Sequence, residues 1–89
     1  MNNKNVIEKT ADGKWIFFCP GCKEHHYIND SWEFNNNLEV PTIKPSIKVS
    51  MSGKTLCHFF VRNGKIEYLN DCVHELANKT VDMIPLAEV

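Results

Sequence analysis

The chain has 89 residues, 43% of them hydrophobic and 24% charged, and a formal net charge of −1 at pH 7. That length makes one domain, residues 1–89, whose modest buried fraction calls for a staple such as a metal ion. Ten Lys and Arg are scattered among eleven acids, which disfavours nucleic acid or an anionic membrane as a partner.

In chain order, residues 6–10 and 14–19 form a predicted hairpin around "ADGK", where Asp12-Gly13 suits the positive φ angles of a type I′ turn. Residues 24–29 alternate polar and apolar as a strand does, and Trp32 and Phe34 share one side of a short strand before an Asn-rich turn. In "PTIKPSIK" two prolines four apart suit an extended edge segment rather than a central strand, continuing over 46–51. The 41–50 edge is also a candidate for homo-oligomer formation.

The clearest hairpin is "TLCHFFVRNGKIEYLND", turned by Asn63-Gly64. Its register opposes Arg62 to Lys65, Val61 to Ile66, Phe59 to Tyr68 and Cys57 to Asn70. Period-two alternation then puts Cys57, Phe59, Val61, Ile66, Tyr68, Asn70 and Cys72 on an apolar face, and His58, Phe60, Glu67, Leu69 and Asp71 on the other. Asp71 is a predicted cap for a two-turn helix over "CVHELA", ended by a left-handed Asn78, and "TVDMIP" is a last strand. The expected fold is mostly β, a small α+β domain of zinc-ribbon-like antiparallel hairpins with one short helix.

Four cysteines carry the chemistry. The start of the chain, "MNNKNVIEKT", lacks the apolar stretch of a secretion signal, and no apolar run approaches the ~20 residues that cross a bilayer. The expected compartment is therefore the cytoplasm, where thiols stay reduced and cysteines read as metal ligands or redox centres. Cys19-Pro20-Gly21-Cys22 is a zinc-knuckle signal, because the short Gly-containing link lets both thiolates meet one tetrahedral ion. The second hairpin offers Cys57 and Cys72 as same-face diagonal neighbours, so the expected Zn²⁺ ligands are Cys19, Cys22, Cys57 and Cys72. His58, His74 and His26 remain alternative ligands; His58 points away from Cys57 in a regular strand and would need a bulge to join.

A redox reading of "CPGC" fails because "KEHHYINDS" has no helical periodicity to start a helix after the pair. Four thiolates would close the metal's shell and favour a structural ion over a catalytic one. No phosphate-binding loop, Ser-His-Asp constellation or paired-carboxylate cleft is evident. His58 and Asp71 share a face and are expected to form a hydrogen-bonded pair which, with no nucleophile recognised nearby, reads as a local tie. Phe18 and Phe60 fall opposite the core face and hint at a partner surface.

The segments "FFCPGC", "PTIKPS", "LCHFFVRNGKIEYLNDCVHELA" and "TVDMIPL" resemble a family of small phage and prophage proteins, some of them labelled ammonia monooxygenase without support. The resemblance runs from about Trp15 to Leu86 and implies a zinc ion bound among Cys19, Cys22, Cys57, His58, Asp71, Cys72 and His74. The expected role is a phage-encoded, zinc-stabilised accessory protein, not an enzyme, that binds a host or phage protein and disables a host defence complex. A zinc-dependent hydrolase and a nucleic-acid-binding ribbon are the alternatives.

Overall fold

A computed structural model describes residues 4–89 of the chain. Strands β1 (Ile7–Lys9), β2 (Trp15–Cys19) and β3 (Glu24–Ile28) form one antiparallel sheet in that order. Strands β4 (Glu33–Phe34), β5 (Ile43–Met51), β6 (Lys54–Arg62), β7 (Lys65–Tyr68) and β8 (Thr80–Asp82) form a second, also in chain order. The mostly β expectation is borne out.

The alternation read from the sequence decides which side of each sheet is buried. Ile7, Phe17, Cys19 and Ile28 come from the first sheet; Ile43, Ile47, Cys57, Phe59, Val61, Ile66 and Tyr68 come from the second, and all are buried. The rings of Phe17 and Phe59 meet edge to face at 5.9 Å and tie the two layers together. Asn63 and Gly64 both have positive φ, 50° and 77°, as a type I′ turn demands. Arg62, Val61 and Phe59 accordingly oppose Lys65, Ile66 and Tyr68 as predicted. In the first hairpin only Gly13 is left-handed, and the Thr10 N–H bonds to the Lys14 carbonyl. The loop is therefore a three-residue one with Gly in the left-handed position, not a type I′ turn.

Two irregularities interrupt the β5–β6 pair. Ile43 opposes Val61 and Ile47 opposes Phe59, so Lys44, Pro45 and Ser46 bulge out opposite Phe60 alone. On β6, Leu56 is the extra residue between the Val49–Cys57 and Ser50–Thr55 pairs. Its carbonyl accepts the Val73 N–H at 3.0 Å. This second bulge precedes Cys57, so Cys57 and His58 keep to opposite faces.

The predicted helix is absent from the described residues; the segment after Asp71 is a series of turns, and the one helical element is a 3₁₀ turn at Leu86–Glu88. The reason is tertiary. A two-turn helix has little stability of its own, and here Val73 is hydrogen-bonded to β6 while Cys72 and His74 are each held by distant groups. Asn78 does take the left-handed conformation, at φ 66°. Phe60 lies under the Arg62 guanidinium, 4.2 Å from the ring centre, and Phe18 packs edge-on against His25.

Candidate active site and metal centre

Cys19, Cys22, Cys57 and His74 bring one ligand atom each to within 4.8 Å of one another. The knuckle between β2 and β3 supplies the first two, β6 the third and the turn after β7 the fourth. A tetrahedral shell with metal–sulfur bonds of about 2.3 Å sets sulfurs about 3.8 Å apart, and the Cys19 and Cys57 sulfurs stand 3.9 Å apart. His74 Nε2 lies 3.2 Å from the Cys57 sulfur. The His74 ring rests directly on Gly21, where an added Cβ would come within 2.3 Å of it, so the knuckle glycine is required for the approach of the fourth donor. The donor set, its spacing and its burial fit a metal ion of the soft or borderline kind.

Second-layer contacts orient these donors. The Tyr68 hydroxyl sits 3.0 Å from the Cys19 sulfur and accepts the Gly21 N–H at 3.2 Å, while the Cys22 N–H donates to Cys19 at 3.4 Å. A hydrogen bond from Cys57, with smaller help from His26 and Tyr68, holds the Cys19 thiol down to about 3 against the opposing effect of burial. Burial, then the Cys19 charge, pushes Cys22 up to about 11. Cys57 is pushed up by its hydrogen bond to Cys19 and by burial. The cluster on its own thus favours one thiolate and two thiols. A cation that takes all three sulfurs must displace the protons on Cys22 and Cys57, so apparent metal affinity rises with pH and about two protons leave per ion near neutrality. Calorimetric titration in buffers of different ionisation heat reads that number, and release of none would remove these thiols from the ligand set.

Cys72, expected as the fourth ligand, lies elsewhere. Its sulfur accepts the His58 N–H and donates to the His58 carbonyl, both at 3.2 Å. The register that put Cys57 and Cys72 on one face ends at Tyr68, where β7 stops. His26 is buried against Phe17 and Phe59 and is outside the cluster, its Nε2 unpartnered among the described residues.

His58 points to the opposite side of the sheet and completes a different arrangement. Its Nδ1 lies 3.1 Å from Asp71 Oδ2, the pair foreseen from the sequence, and its Nε2 lies 3.0 Å from Ser46 Oγ. Ser46 is a candidate nucleophile that the sequence reading did not single out. It is a diagonal neighbour of His58, which opposes Lys48, and the bulge sets its orientation. On the other side the Trp32 indole N–H donates to the Ser46 carbonyl at 3.4 Å. With Asp71 Oδ2 accepting a hydrogen bond from Nδ1–H, the neutral ring turns its Nε2 lone pair to the serine hydroxyl. The chain order Ser, His, Asp follows no local motif, and such triads are recognised by geometry rather than by position. The only sequence signal was a serine flanked by strand residues on the His58 face.

A nucleophile, a base and a carboxylate that orients the base define the class of serine hydrolases. The chain belongs to the family described as bacterial ubiquitination-like system serine protease (BubE), whose sequence model matches residues 1–69. The match includes Ser46 and His58; Asp71 and His74 lie beyond it. Comparison with curated proteins and with solved structures returns no match. The expectation of a non-catalytic binding module is overturned, since a family described as a protease points to an enzyme. No helix among the described residues is long and apolar enough to cross a membrane.

Proposed function

We propose that this protein is a zinc-braced serine hydrolase that cuts amide bonds made or processed in a bacterial ubiquitination-like system. The observation that carries the reading is the unbroken hydrogen-bonded line from Ser46 Oγ through the His58 ring to Asp71 Oδ2. Ser46 Oγ attacks the substrate carbonyl as its proton passes to His58 Nε2. The carbon–nitrogen bond then breaks and His58 returns that proton to the departing amine, leaving an ester on Ser46. Water, deprotonated by the same nitrogen, opens the ester and restores the serine. Asp71 holds the ring and stabilises its transient positive charge.

Zn²⁺ suits the three thiol donors and one imidazole, and with four protein donors its role is structural. When bound it clamps Cys57, next to His58, to His74, three residues after Asp71, and so braces both segments that carry the base and its partner. The side chains of His58 and Asp71 are 24% and 42% exposed, an open site suited to a macromolecular substrate that itself excludes water. The family's description supports a conjugate of that system as the substrate, with the modified protein as partner.

A fluorophosphonate probe tests the nucleophile without knowledge of the substrate. It should label the protein at Ser46 and fail to label Ser46→Ala or His58→Ala variants that keep their metal and fold. Labelling that survives Ser46→Ala would remove the serine from its role.

A further inference from the structure

Strand β5 is paired with β6 at Ile43 and again from Ile47 to Met51, but on its other side β4 covers only Ile43 and Lys44. From Pro45 to Met51, β6 is its one strand neighbour among the described residues. The Trp32 indole closes that outer edge at the Ser46 carbonyl, at 3.4 Å. The nucleophile therefore sits where a covered edge gives way to a bare one. Residues 47–51 make about 17 Å of extended backbone beyond it, and Lys48, Ser50 and Met51 are exposed along it. A bare edge of this kind is a ready template for an incoming strand.

We propose that residues 47–51 of β5 are the substrate cradle, pairing with an extended segment of the substrate on the acyl side of the bond to be cut. This rests on Ser46 being the nucleophile. An antiparallel strand laid here runs from Met51 toward Ser46, so its carboxyl end arrives at the attacking oxygen. The amine departs past Trp32 and β4, where the edge is already taken and no strand can pair. A parallel strand would reverse this and is the weaker pairing. The enzyme thus reads one half of its substrate, largely through backbone hydrogen bonds. It is indifferent to the amine that leaves. The occupant is a flexible tail with about five extended residues before the scissile carbonyl; a compact loop cannot lie along the edge. A protein modifier joined through such a tail to varied amines has that chemistry.

The test uses hexapeptides ending in aminocoumarin, with the best sequence taken from a positional library. Lengthening from two residues to six should raise kcat/KM about tenfold or more. N-methylation of single amides should lower it about tenfold at alternate positions and little at those between, as loss of one strand hydrogen bond does. Replacing coumarin by a lysine amide should change chain-length dependence little. In Ser46→Ala protein the same hexapeptide should slow hydrogen exchange over residues 47–51. Uniform tolerance of N-methylation with no β5 protection would overturn the cradle, yet leave the nucleophile standing if fluorophosphonate still labels Ser46. Absence of labelling would instead sink the hydrolase reading. No cleavage in the library together with no protection also overturns the cradle, as does protection of β5 without peptide in a concentration-dependent dimer, which would make a second copy the occupant.

Discussion

Ser46→Ala should abolish amide hydrolysis, lowering kcat by on the order of 10⁴-fold or more while metal content and melting temperature stay near those of the parent. In the proposed reaction the serine makes the new bond, so nothing substitutes for it. Its hydroxyl is only half-buried and bonds to His58 Nε2 alone among its described partners, so its removal leaves no buried group stranded and costs little stability. His58→Ala should be about as damaging, because base and nucleophile act as one unit and their losses are not additive. Asp71→Asn should cost less, on the order of 10²–10³-fold in kcat. The Asp71 side chain is 42% exposed, so water already screens part of the charge it offers to the ring. A single-turnover assay with any cleaved peptide gives the ranking. Equal, small losses for all three variants would detach the triad from the chemistry.

Removing the metal should unfold much of the molecule and silence the site together. The cluster joins the β2–β3 knuckle, β6 and the turn after β7, which are the two sheets and the segment that holds Asp71. A domain of this length has little core to spare, and in small metal-stapled domains binding free energy is largely folding free energy. Chelation, or Cys57→Ser, should therefore lower the melting temperature by tens of degrees and bring fluorophosphonate labelling down with it. Cys72→Ser provides the contrast. Cys72 contacts the His58 backbone rather than the cluster, so that variant should keep its full complement of metal, and serine can still accept and donate there. Elemental analysis beside thermal denaturation separates the two outcomes. Metal lost from Cys72→Ser as well as Cys57→Ser, but kept in His74→Ala, would restore the four-cysteine set.

The knuckle at Cys19 and Cys22 was legible because two thiols around a Pro-Gly link have few other uses. The Asn63-Gly64 turn was equally plain, since its two positive φ angles are a local demand. Together with period-two alternation it fixed which side of β6 each residue takes. That was enough to send Cys57 inward, His58 outward and Asp71 toward His58. Local preference also predicted a helix after Asp71, and there tertiary contacts prevailed, because Cys72, Val73 and His74 are each held by other parts of the chain.

What the amino-acid order determined by itself was the set of elements whose information is local: turns, alternation, the knuckle, and the pairing across one tight hairpin. Only the tertiary structure chose His74 over Cys72 at the cluster and brought Ser46 to His58. Both depend on irregular backbone, the Lys44–Pro45–Ser46 bulge and the turns following β7. A bulge re-aims side chains without a signature that periodicity can read. Its position follows from how two sheets close over one core, which no short stretch of sequence contains.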